Sequence, residues 1–198
     1  MSTSILFMSV SADGYIADEN DFLGGPDGNR LHEWFAPGGE FAEVTGAARE
    51  VMDEMGAGGA VVTGRRTAEL MDHWGGELMG GVPIFVPSHR APGPAARWSY
   101  PNVTYTDGIV SAMEQAKAAA GDKHVHVQGG YTAQQALTEG VLDELQLAQV
   151  PVLLGRGRRL FDVLPREVEL DVVRVIDTPA ATHLRYRVKG GSPGTRTG

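Results

Sequence analysis

The chain has 198 residues, 42% of them hydrophobic, enough for one substantial core and no obligatory split into two domains. A formal net charge of −8 excludes the broad basic stripe that nucleic-acid binding needs, so any anion site has to be a local concentration of charge. The absence of cysteine excludes disulfides, thiolate catalysis and thiolate metal sites. The opening Met1-Ser2-Thr3-Ser4 lacks a basic region, the apolar run over 5–10 is too short for a signal core, and no stretch approaches a membrane span. A cytoplasmic protein with neither membrane nor nucleic-acid partners is expected.

In chain order, residues 5–10 read as a strand, followed by an irregular Gly-rich excursion over 13–39. Phe41, Val44, Ala48, Val51, Met52 and Met55 recur at three- and four-residue steps, which predicts an amphipathic helix over 41–55 with Gly56 as its stop. A strand over 60–63 runs through Gly64 into a helix opened by Arg65. Strands follow at 84–86 and 103–105, then a helix over 109–120 with Asp107 placed to cap it and Gly121 at its end. A strand over 125–127 enters Gln128-Gly129-Gly130 and another helix. Next come a strand over 144–150, a turn-rich stretch over 151–159, and two β-like runs, 168–176 and 182–188, as an antiparallel pair. Strands alternating with helices imply a mostly parallel α/β sheet with an antiparallel C-terminal edge. The Gly, Ser, Pro and Thr-rich segment 190–198 reads as a disordered tail after a single domain over 1–189.

Two turns carry the chemistry. In Thr63-Gly64-Arg65-Arg66-Thr67 a strand delivers the backbone to a helix start, Gly64 permits close approach, and the arginines and threonine supply donors suited to phosphate. Gln128-Gly129-Gly130-Tyr131-Thr132 repeats that logic. Two such turns on one sheet suit a ligand with two or more phosphates, although neither matches the G-x-G-x-x-G or Walker A pattern. The Trp34-Phe35 pair could line a flat heterocyclic substrate or plug the core. Position 36 is alanine, so His32-Glu33 is no H-E-x-x-H motif. His124 and His126 alternate on a strand without a third ligand at useful spacing, and no metal is expected. His183, Arg185 and Arg187 alternate with Leu184, Tyr186 and Val188, which reads as the exposed face of a strand.

Four stretches resemble the dihydrofolate reductase-like fold, and in particular the reductase domain of bacterial riboflavin biosynthesis. Ser11-Ala12-Asp13-Gly14-Tyr15-Ile16-Ala17 is similar to that family's S-x-D-G-x-x-A segment, and Thr63-Gly64-Arg65-Arg66-Thr67 to its G-R-x-T turn. Gln128-Gly129-Gly130 resembles the second glycine turn, and Pro151-Val152-Leu153-Leu154-Gly155-Arg156-Gly157 the P-x-x-x-G-x-G segment. The resemblance spans about residues 5–188. It implies NADPH as cofactor, with Thr63, Gly64, Arg65, Arg66 and Thr67 at its phosphates. Gln128, Gly129, Gly130, Tyr131 and Thr132 would lie at the pyrophosphate, with Ile16 and Ala17 near the nicotinamide. Ser88, His89 and Arg90 would lie at the adenosine ribose, where Ser88 and Arg90 suit a 2′-phosphate.

Hydride transfer to a small pterin-like or ribosylamino-pyrimidine-like heterocycle is the implied activity, and a homodimer the implied assembly. Trp34, Phe35 and Leu154 are the candidate substrate wall. Asp13 and Glu43 are the candidate catalytic carboxylates; Asp13 also suits an Asp-Gly turn, and Glu40 and Glu43 suit helix-start electrostatics. The rival reading is a non-catalytic, homo-oligomeric nucleotide-binding protein of the same fold.

Overall fold

Strand β1, Ser4–Ser11, is buried along its whole length except at Met8, as a strand in the interior of a parallel sheet must be. The computed structural model describes residues 2–40, 43–90, 100–162 and 164–190. After β1 come β2 (Tyr15–Ala17), α1 (Ala47–Gly56), β3 (Ala60–Thr63), α2 (Arg65–Leu70), β4 (Ile84–Pro87) and β5 (Val103–Thr106). Then follow α3 (Gly108–Ala120), β6 (Val125–Gln128), α4 (Gly130–Thr138), β7 (Glu144–Val150), β8 (Arg158–Arg159), β9 (Leu170–Asp177) and β10 (Thr182–Val188).

Eight strands form one sheet in the order β5-β4-β3-β6-β1-β7-β10-β9. All neighbours pair parallel up to β7, and β10 and β9 close the edge antiparallel. This is the α/β, dihydrofolate reductase-like architecture with a mostly parallel sheet and an antiparallel C-terminal edge. Alternation sends Leu6, Val10, Ala60, Val62, Val125 and Val127 to one face, where Met113 and Ala116 of α3 and Ala133 and Leu137 of α4 complete the main core. The opposite face carries Phe7, Ser9, His126 and Gln146, and it floors a cleft.

Several expectations need correcting. The first helix begins at Ala47 instead of near 41, because Gly46, at φ +63 and ψ −146, breaks the helical path; Phe41 itself lies outside the described residues. The excursion over 13–39 is not wholly irregular: β2 pairs with β8, which lies inside the stretch read as turns. Asp107 sits at the start of α3 but makes no capping bond, since its carboxylate takes His89 Nδ1 at 2.7 Å.

Of the face bearing His183, Arg185 and Arg187, only Arg187 is exposed as expected. His183 is 1% exposed, with Trp34 edge-on at 4.7 Å. Arg185 pairs with Glu54 of α1 and Glu144 of β7, and Arg174 of β9 pairs with Glu50 and Glu54. Polar alternation alone cannot reveal that α1 crosses over these strands. Most of the expected tail, residues 191–198, lies outside the described residues.

Candidate cofactor and substrate cleft

The two glycine turns lie side by side. Thr63 and Gln128 are in register at the ends of β3 and β6, so the chain leaves both strands at the same level of the sheet. A Cβ on Gly64 would come within 2.8 Å of Thr132 Oγ1. A Cβ on Gly129 would lie 3.5 Å from Thr132 Oγ1, 3.7 Å from Thr67 Oγ1 and 3.8 Å from Gly64 N, and its φ of +95 is one that side chains rarely adopt. The two turns thus share one small-walled cradle. Among the described residues no side chain caps α4, so the N–H groups of its first turn remain for a ligand or water. That donor set, with arginines beside it, fits the phosphates of a dinucleotide.

Arg65 Nε donates to Glu69 Oε1 at 2.7 Å, and its Nη1 lies 3.4 Å from Ser88 Oγ. That contact links the first turn to the loop after β4, where Ser88 Oγ also bonds the backbone of Arg90. Ser88, His89 and Arg90 all line the cleft. Arg66 is held differently. Asp21, from the excursion, stands between Arg66 and Arg158 and bonds both, and the Arg158 bond is the main influence keeping its carboxyl below the usual range. Ile16 and Ala17 face the turns from β2 and line the cleft, as do Thr67, Gly130, Thr132 and the largely exposed Tyr131.

The cleft encloses about 1740 Å³. Its floor includes Phe7, Ser9, His126 and Gln146, and Trp34 and Phe35 form part of its wall. Trp34 Nε1 donates to Ser9 Oγ at 2.9 Å and packs edge-on to Phe35, so its indole is fixed at two points. His126 stacks on Phe7 with ring centres 4.9 Å apart, and burial lowers its pKa to about 4. It is therefore neutral at physiological pH.

Four named candidates stand outside the cleft wall. Thr63 is fully buried and accepts from Gln128 Nε2 at 3.3 Å, so it positions that residue. Leu154 packs into a satellite core with Leu31, Val150 and Ala181. Asp13 accepts from Ser11 Oγ at 2.6 Å and from the backbone N–H groups of Leu154 and Gly155, and the Ser11 bond leads in lowering its pKa. It therefore ties the 151–157 segment to the end of β1. Glu43 is exposed. Sequence reasoning missed Phe7, Ser9, His126 and Gln146 as cleft residues. The available signal was polar side chains alternating along strands whose other face is mostly apolar.

Among the described residues, no group of three or more His, Asp or Glu is placed to hold a metal ion, and no helix is long and apolar enough to cross a membrane.

A parallel sheet with an antiparallel edge, opening into a cleft at two adjoining glycine turns, defines a member of the dihydrofolate reductase-like class. Within it, the chain belongs to the RibD C-terminal domain family, which it matches over residues 3–184. Among solved structures, a Shewanella sp. PV-4 protein provisionally assigned to riboflavin biosynthesis superposes with a TM-score of 0.73 at 24% identity, covering 94% of this chain and 99% of that one. A pyrimidine reductase-like protein of Corynebacterium diphtheriae gives 0.62 at 14% identity, with 94% and 92% covered.

A diaminohydroxyphosphoribosylaminopyrimidine deaminase/5-amino-6-(5-phosphoribosylamino)uracil reductase of Thermotoga maritima gives 0.60 at 16% identity. There the match takes in 94% of this chain but 56% of the longer enzyme. At these identities the structures speak to fold. No curated protein sequence matches significantly. Family membership supports an oxidoreductase of the riboflavin-pathway type.

Proposed function

We propose that the protein is an NADPH-dependent reductase that transfers hydride to an electron-poor carbon or C=N bond of a small flat heterocycle, pterin-like or ribosylamino-pyrimidine-like. The observation that carries this reading is the shared cradle of Gly64, Thr67, Gly129 and Thr132 at the ends of neighbouring parallel strands. Gly64, Arg65 and Thr67 would hold cofactor phosphates, and Gly129, Gly130, Tyr131 and Thr132 the pyrophosphate. Ser88, His89 and Arg90 would hold a 2′-phosphate, and Ile16 and Ala17 would flank the nicotinamide. Arg66 joins them only by exchanging Asp21 for a phosphate. When bound, the dihydronicotinamide supplies the hydride.

Phe7, Trp34 and Phe35 exclude water from the ring and hold it flat. Neutral His126 is not in its acidic imidazolium form near pH 7, and neither Asp13 nor Glu43 lines the cleft, so in this reading water delivers the proton. The same observation favours a second reading, a non-catalytic homo-oligomeric nucleotide-binding protein. NADPH oxidation assayed against pterin and ribosylamino-pyrimidine substrates separates the two. Turnover of either supports the reductase, and tight NADPH binding without turnover supports the binding protein. Neither reading survives an absence of NADPH binding.

The proposal extends to a single domain over 1–189 and to a cytoplasmic homodimer. Edge strand β9 supports self-association, because Val172 and Val175 are 66% and 55% exposed on a strand that pairs on one side only. Sedimentation at micromolar concentration tests this, with a purely monomeric species as the refuting result.

A further inference from the structure

We propose that Gln146 selects the ring bound on the cleft floor, accepting a heterocycle that offers a carbonyl oxygen to its Nε2 and rejecting one that presents an amine there. The inference rests on the heterocycle reading above for the class of ligand and adds the group by which that ligand is chosen.

Gln146 sits in the middle of β7, in register with Phe7 of β1 on one side and Arg185 of β10 on the other. Its side chain is thereby carried onto the face that floors the cleft, where it is 3% exposed and part of the lining. Its Nε2 has no hydrogen-bond partner among the described residues. A glutamine is a poor occupant for the centre of a sheet, and a buried amide donor left unpaired is destabilising. Buried polar groups are otherwise almost always satisfied, so an orphan in a cleft lining calls for an acceptor brought by a ligand.

The amide is also held one way round. Arg174 Nη2 lies 3.5 Å from Gln146 Oε1, a charge–dipole contact, and the guanidinium is fixed in turn by Glu50 and Glu54 of α1. Turning the amide over would set NH₂ against a cation, donor against donor. Gln146 therefore offers an N–H and withholds its oxygen. The other polar groups of the floor are not held to one polarity in this way. Ser9 Oγ accepts from Trp34 Nε1 but keeps a rotatable O–H, and the neutral His126 ring donates or accepts according to its tautomer. Phe7, Trp34 and Phe35 supply flat apolar walls, so shape admits an aromatic ring and Gln146 reads its edge.

The test is a calorimetric titration of the full chain with two rings of the same shape that carry carbonyl or amino groups at the same two carbons, pteridine-2,4-dione and pteridine-2,4-diamine, each with and without saturating NADPH. The dione should bind about tenfold or more tightly, since the diamine leaves a buried donor facing a donor. Gln146→Leu should erase the preference while keeping or raising the melting temperature, and Gln146→Glu should reverse it. Equal binding of the two rings to the unaltered protein, binding of neither, or a preference that survives Gln146→Leu overturns the inference. Failure of NADPH to bind overturns both readings of the cofactor site and leaves this inference to be decided, because the ring preference is still read without cofactor.

Discussion

The two glycine turns look alike in sequence and need glycine for different reasons. At the first, Gly64 has an ordinary backbone, φ −66 and ψ 146, and what would crowd a side chain is the Thr132 hydroxyl from the other turn. At the second, Gly129 needs glycine for its conformation. Gly130 needs it for packing, since a Cβ there would meet Ile16 Cδ1 at 3.0 Å and the carbonyl oxygens of Leu160 and Arg159 at 3.2 and 3.3 Å. The supporting strands differ as well: Val61 beneath the first turn is paired in register with His126 beneath the second. A glycine after a strand thus says that something comes close, without saying whether that is ligand, neighbour or the chain's own path.

The sharpest way to break this contrast is Gly130→Val. Two of the atoms its side chain would meet are backbone and cannot swing aside, so we expect a loss of about 3 kcal/mol in urea denaturation. Wild-type stability combined with lost NADPH affinity would instead assign Gly130 to the ligand. Acid should act next, through the second turn. The unfolded His126 imidazole takes up a proton near 6.5 and the folded one only near 4, so between those values the unfolded state binds more protons. Stability from this group is therefore full above about pH 6.5 and falls toward pH 4, by about 3 kcal/mol, as the histidine contribution. Denaturation series across this range should show a flatter profile in His126→Phe. An unchanged slope removes His126 from the account.

Binding sharpens the other side. If the first turn serves phosphate, Arg65→Ala should weaken NADPH binding about ten- to hundredfold, the loss expected for charge-assisted bonds. Arg66→Ala should cost less, because Arg66 must first give up Asp21. Unchanged affinity in both variants strips the turn of that role. The smallest effect belongs to Gly64→Ala, about 1 kcal/mol from crowding against Thr132 Oγ1, and Thr132→Ala should recover it in the double variant. Without recovery, Gly64 answers to something other than Thr132.

What was legible in the sequence follows the range of the forces involved. β1 and β3 are largely apolar runs, β6 and β7 alternate apolar with polar residues, and the Gly-Arg and Gly-Gly turns are local chemistry, so all were readable from neighbours a few residues away. The short pair β2 and β8 was not. Its partners Tyr15 and Arg159 meet with the guanidinium 4.5 Å from the ring centre, a contact between distant segments with no periodic trace. The floor was lost for a related reason. His126, Gln146 and His183 alternate as solvent-facing residues do, and only the placement of α1 and Trp34 over that face turns polar into buried.

Strand β1 has one more consequence, for how the molecule is made. The partners of Ser4 and Ile5 are Val125 in β6 and Glu144 in β7, so β1 acquires its two neighbours only after the chain has been made well over a hundred residues beyond it. Pairings of such long sequence separation are slow to form, and until they do an apolar strand has both hydrogen-bonding edges open to other chains. Nascent chains stopped before residue 144 therefore lack β7 and cannot close the sheet around β1. Because Phe7 and Ser9 belong to that strand, ligand cleft and hydrophobic core come into being in the same late event.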